Sequence, residues 1–90
     1  MIACTIKNGF SVKLEAQYDV SVGTATYVVT VVGLPPCEMY TKMEFNNFAP
    51  AANVYKTMSE VVENEGRVAD RLKTVVHGSR ALGYHVMEGK

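Results

Sequence analysis

The segment Phe10-Ser11-Val12-Lys13-Leu14-Glu15-Ala16-Gln17-Tyr18 carries an apolar side chain at every even position and a polar one at every odd position. A period of two is the signature of a strand with one buried and one solvated face. The chain must therefore build a sheet and cover one side of it. Just upstream, Ile2, Cys4 and Ile6 alternate with Ala3 and Thr5, and Asn8-Gly9 between the two runs is a strong hairpin signal. Loop length then decides which side chains share a face. A two-residue loop pairs Lys7 with Phe10 and turns Ile2, Cys4 and Ile6 away from Phe10, Val12 and Leu14. A three-residue loop over Lys7-Asn8-Gly9 pairs Ile6 with Phe10 and brings all the apolar residues together, with Gly9 in the left-handed position of a bulge. Burial of one face sets register, so the bulged hairpin is the expectation, with Cys4 on the apolar face.

After the turn-like stretch Asp19-Val20-Ser21-Val22-Gly23, residues 24–34 are rich in Val, Thr and Tyr, the composition of a well-covered strand. Pro35-Pro36 stops it, because neither residue can donate to a ladder. A fourth strand runs from Cys37 to about Phe45, with Cys37, Met39, Met43 and Phe45 on one side and Glu38, Tyr40, Lys42, Glu44 and Asn46 on the other. A four-stranded antiparallel meander is the simplest arrangement of these pieces.

The period changes after Phe45. Ala51, Val54, Tyr55, Met58, Val61 and Val62 fall at helical spacing, after an entry at Asn47 or Ala49 that tolerates Pro50 in the first turn. Asn64-Glu65-Gly66 reads as a helix end. Yet the stripe resumes in phase with Val68, Ala69, Leu72, Val75 and Val76, which favours one helix over 51–77, bent at Gly66, above two separate helices. Such a helix spans about 40 Å against about 30 Å for the strands. Its second half then overhangs the sheet and leaves Val68, Leu72, Val75 and Val76 as a seam for a second copy, unless the chain folds back at Gly66. Tyr84-His85-Val86-Met87 reads as a short final strand. The fold class is α+β: an antiparallel sheet over 1–48, a long or Gly66-broken helical part over 49–80 packed on one sheet face, and a tail or short strand over 81–90, in a single domain.

Composition narrows the function classes. The 90 residues are 48% hydrophobic and 20% charged, which excludes a disordered chain. Nine Lys and Arg balance nine Asp and Glu, which argues against a dedicated nucleic-acid binder, whose affinity rests on neutralising phosphates. Two cysteines are too few for a disulfide scaffold. The first residues lack the basic region and apolar run of a signal peptide, and nothing approaches the roughly 20 apolar residues of a membrane span. A reducing, cytoplasmic setting is expected.

No motif carries a chemistry. Cys4, Cys37, His77 and His85 are the residue types of a zinc site but lack close ligand spacing, so no metal or cofactor is expected and the thiols read as packing residues. Cys37 with His77 or His85 has no local sequence support as a nucleophile and base. The serines and glycines form neither a nucleophile elbow nor a phosphate-cradling loop. Glu63 and Arg67 are spaced for an ordinary i,i+4 pair on a helix. No catalytic residue is assigned.

Two surfaces remain for recognition. One is the seam Val68, Leu72, Val75 and Val76, read as a homodimer interface. The other is the outer sheet face, where Val28, Tyr40, Lys42 and Glu44 are the expected contacts for a protein partner; an edge strand adds main-chain pairing as a third route. The expected function is a non-catalytic interaction module, an inhibitor or adaptor of the kind phages and mobile elements encode, acting on a surface of a larger complex. The alternative is a small nucleic-acid-binding domain using Arg67, Arg71, Lys73 and Arg80, with Lys13, Tyr40 and Lys42 on the sheet. Glu15, Glu38 and Glu44 on that same face oppose it.

Overall fold

A computed structural model describes residues 2–35, 38–64 and 67–89, so Cys37 and Gly66 lie outside the described residues. The order of elements is β1 (Ala3–Lys7), β2 (Phe10–Asp19), β3 (Thr24–Gly33), β4 (Met39–Phe45), α1 (Phe48–Glu63), α2 (Val68–Ala81) and β5 (His85–Gly89). The five strands form one sheet in sequence order, every neighbouring pair antiparallel. Both helices pack on one side of it. The architecture is the expected α+β meander, with the short C-terminal strand added beside β4.

The first hairpin departs from expectation. Lys7 pairs with Phe10 and Thr5 with Val12, so the loop is the two residues Asn8 and Gly9, with φ of 55° and 79°. Two consecutive positive φ values define the type I′ turn, whose twist matches that of the flanking strands. Cys4 and Ile6 therefore face away from the helices, and Cys4 is exposed. The bulged register fails because β1 is an edge strand whose inner face needs little apolar cover. There Ala3 packs on the core, while the hydroxyls of Thr5 and Tyr55 hydrogen-bond at 2.9 Å. The Asn8 side chain donates from Nδ2 to the Val62 carbonyl at 2.7 Å, tying the turn to α1.

Strands β2 and β3 stay paired out to Asp19 and Thr24, whereas β4 reaches only Tyr27 through Phe45. The far end of this hairpin therefore stands as a two-stranded arm beyond its neighbours. Its loop is held by Asp19, whose Oδ1 accepts from the Ser21 hydroxyl at 2.6 Å and the Ser21 N–H at 3.0 Å, while Gly23 N–H donates to the Asp19 carbonyl. The two Ser21 bonds to the carboxylate, the hydroxyl's first, hold the Asp19 carboxyl below its ordinary pKa.

The helical half is two helices. Asn64 turns to extended backbone (φ −90°, ψ 140°), and its side-chain amide donates to the Glu60 carbonyl, one of the acceptors a helix end leaves open. Arg67, at φ 53°, starts α2. Phase continuity misleads here because both helices turn an apolar stripe toward the same core, which reproduces one spacing across a break. Glu63 and Arg67 consequently do not share a helix. The core joins Phe10, Val12, Leu14, Val29, Val31, Met43 and Phe45 of the sheet to Ala51, Met58 and Val62 of α1 and Val68, Leu72 and Val76 of α2. Leu72 is 0% exposed within this single chain. The seam expected to meet a second copy is thus closed internally: Val68, Leu72 and Val76 are buried and Val75 is half-buried against the same cluster. The chain then returns through Tyr84, whose ring packs 4.6 Å from that of Phe45.

Candidate interaction surface

Because both helices lie on one side, no element among the described residues covers the other side of the sheet, and register places its side chains in rows. Ile6, Ser11, Val32 and Tyr40 form the first row. Cys4, Lys13, Thr30, Lys42 and Met87 form the second, and Glu15, Val28, Glu44 and His85 the third. An apolar end thus gives way to a cationic row and then an anionic row. Each follows from strand alternation, since residues two apart along one strand share a face.

The apolar end is the most open part. Ile6 is 76% exposed, and Leu34 and Tyr40 are also exposed. Leu34 is fixed just past the end of β3, where its N–H donates to the Gly9 carbonyl at 2.8 Å. Ile6, Val32 and Leu34, with the Asn8-Gly9 turn, Phe10 and Ser11, line a concavity of about 290 Å³. Large apolar side chains gathered in the open around a depression are the usual mark of a contact site.

The expected partner contacts all fall on this face, in unequal positions. Tyr40 is exposed, Lys42 and Glu44 are half-buried, and Val28 is 1% exposed although no helix crosses it. Val28 sits in register between Glu15 and Glu44, so it supports their row from beneath and offers a partner no surface. The residues that sequence reasoning placed on the wrong side are Cys4 and Ile6. The Asn8-Gly9 pair was the signal, because it prefers the two-residue turn that puts them outside.

The basic residues of the second helix do not form one stripe. Arg67, Arg71, Lys73 and Arg80 are all exposed. Successive helical residues turn by about 100°, which sends Arg71 to the opposite flank from Lys73 and Arg80. Arg80 lies 3.5 Å from Glu88, and Lys73 shares a shallow depression with Glu38 and Glu88. The cations are divided, and two of the four stand beside carboxylates.

Cys4 and His85 occupy opposite edge strands, and His77 lies on the exposed side of α2. Among the described residues, no three His, Cys, Asp or Glu side chains gather where they could hold a metal ion. Among the same residues, no helix is long and apolar enough to cross a membrane. Compared with family models, with curated proteins and with solved structures, the chain matches none.

Proposed function

We propose that this chain is a non-catalytic protein-binding module whose uncovered sheet face occupies a surface of a larger partner, as an inhibitor or adaptor does. The observation that carries the reading is the cluster Ile6, Val32 and Leu34 around its concavity, with Tyr40 paired beside Val32, on the side of the sheet that no helix among the described residues covers. An open apolar end flanked by a cationic row, with an anionic row beyond it, combines the apolar and polar parts from which protein interfaces are built. A phosphate-binding face would instead need cations without the adjoining Glu15 and Glu44. The partner's complementary feature is an apolar side chain for the depression, flanked by a carboxylate for Lys13 and Lys42. An exposed free thiol at Cys4 suits a reducing, cytoplasmic setting.

The test is capture from source-cell extract with immobilised wild type, an Ile6→Asp, Leu34→Asp variant, and an Arg71→Glu, Lys73→Glu variant. Both pairs are exposed, so each variant folds. A defined protein that is retained at high salt, lost with the first variant and kept with the second supports the reading. Recovery of nuclease-sensitive nucleic acid, lost with the second variant and at high salt, overturns it in favour of phosphate binding.

A further inference from the structure

We infer that Asn8 is a self-modification site: when the first turn opens, the Gly9 backbone nitrogen displaces the Asn8 side-chain amide, and the product severs the tie between the hairpin and α1. The sequence supplies both reactants. An asparagine side chain holds an electrophilic carbonyl carbon within reach of the next residue's backbone nitrogen, and a glycine there puts no side chain in the way of ring closure. Asn8-Gly9 is the one Asn-Gly pair in the chain. Both residues are exposed, and nothing lies within 4 Å of where a Cβ on Gly9 would stand.

The reaction balances with water as its only co-reactant. The Gly9 nitrogen gives up its proton and bonds to the Asn8 Cγ, the Cγ–Nδ2 bond breaks, and the amide nitrogen leaves as ammonia. Water then opens the resulting succinimide. Attack at Cγ returns the chain to its ordinary path as aspartate, whereas attack at the Asn8 backbone carbonyl carbon leaves Gly9 joined through Cγ, as isoaspartate. Nothing is oxidised or reduced.

The fold governs both rate and consequence. In the closed type I′ turn Asn8 holds φ 55°, and its Nδ2 donates to the Val62 carbonyl at 2.7 Å. The nitrogen that has to leave is thus anchored to α1 until the turn opens. Opening is a local event, because the turn is exposed and belongs to an edge strand of the sheet. Neither product keeps the Nδ2–H donor. A carboxylate oxygen then stands where the donor met the Val62 carbonyl, and two acceptors without a proton between them do not bond. Isoaspartate also lengthens the backbone path of a two-residue loop whose fit to its strands depends on its length. Asn8 and Gly9 line the depression beside Ile6, Val32 and Leu34, so either product adds a negative charge to its wall. The chemistry needs no partner in that depression and does not rest on the function proposed above.

The test is peptide mapping by mass spectrometry after incubation at body temperature and mildly alkaline pH, with one sample folded and one in concentrated guanidinium chloride. Cleavage after Lys7 and Lys13 isolates residues 8–13. In both samples this peptide should gain the mass difference between an amide and an acid and split into aspartate and isoaspartate forms. Peptides holding Asn47, Asn53 and Asn64 should keep their mass. The folded sample should react about fivefold or more slowly, the factor that one net hydrogen bond is worth. The converted protein, once isolated, and an Asn8→Asp variant should both unfold at lower urea than wild type. A folded sample unchanged after the unfolded one has fully converted overturns the inference. Equal rates in the two samples overturn the protection by the turn, and an unchanged urea midpoint in the converted protein overturns the loss of the tie to α1. None of these readings requires an outside partner, so failure here is distinguishable from failure of the capture experiment.

Discussion

Replacing Leu72 measures whether α2 completes the core of its own chain. Leu72 is 0% exposed and belongs to the cluster that joins both helices to the sheet. Leu→Ala at such a site costs about 2–5 kcal/mol, because lost transfer energy adds to the cavity left behind. A chain of 90 residues has a total stability on the order of 5–14 kcal/mol at typical per-residue values. A loss of about 3 kcal/mol would therefore remove a large fraction of it and lower Tm by roughly 12–24 °C. Leu72→Asp adds a buried unpaired charge to the cavity and should leave the chain unfolded. The assay is urea denaturation followed by far-UV circular dichroism, with Leu82→Ala as the control. Leu82 is 78% exposed, so that variant should stay within about 0.5 kcal/mol of wild type. A Leu72→Ala loss below about 1 kcal/mol, or a folded Leu72→Asp monomer, would refute the seating of α2.

Asn8→Gly keeps the left-handed turn and deletes the bond to the Val62 carbonyl, so urea melts should show a loss of about 1 kcal/mol. Asn8→Ala should lose about 1–2 kcal/mol more, the strain of a Cβ at positive φ; equal losses would contradict the type I′ turn. The Ser59 hydroxyl is buried with no hydrogen-bond partner among the described residues, so Ser59→Ala should gain about 1 kcal/mol, and a loss of that size would show a missed partner. The Asp19 carboxyl should titrate below an ordinary aspartate by NMR, and Ser21→Ala should move it back up. A folded pKa below the unfolded one stabilises above the unfolded value and is lost as pH falls through the folded one, so the tip should loosen only in acid; an Asp19 titration unmoved by Ser21→Ala would refute the account of the loop.

The meander was legible because alternation over residues 10–18 and the Val-rich run that follows each admit one reading. Both meet cover that enforces it, with Val12 and Val31 fully buried under the helices. Reading failed where cover is partial. At β1 the choice between loops rested on burying every apolar side chain, but an edge strand beside a narrow helical layer leaves Ile6 in water. Between Glu63 and Val68 the helical phase carried no information on continuity, because one core serves both helices. The outer positions of β3 and β4 were placed correctly by parity alone. Parity is blind to the depth of each position, so the burial of Val28 between two glutamates was not foreseeable from it. The apolar cluster depends on residues from three strands, and its Ile6 contribution becomes visible only once the first hairpin's register is known.

The open sheet face is tested most directly by the reactivity of the Cys4 thiol in a Cys37→Ser variant, measured in dilute solution with a chromogenic disulfide reagent. The two-residue hairpin places that thiol in solvent on the uncovered face. It should react without denaturant, within about tenfold of the unfolded chain's rate, since access and thiolate fraction govern such reactions. Protection by several orders of magnitude that disappears only on unfolding would put Cys4 in the core. Ile6 would follow it to the helix side, and the uncovered face would lose the apolar end on which the binding function rests.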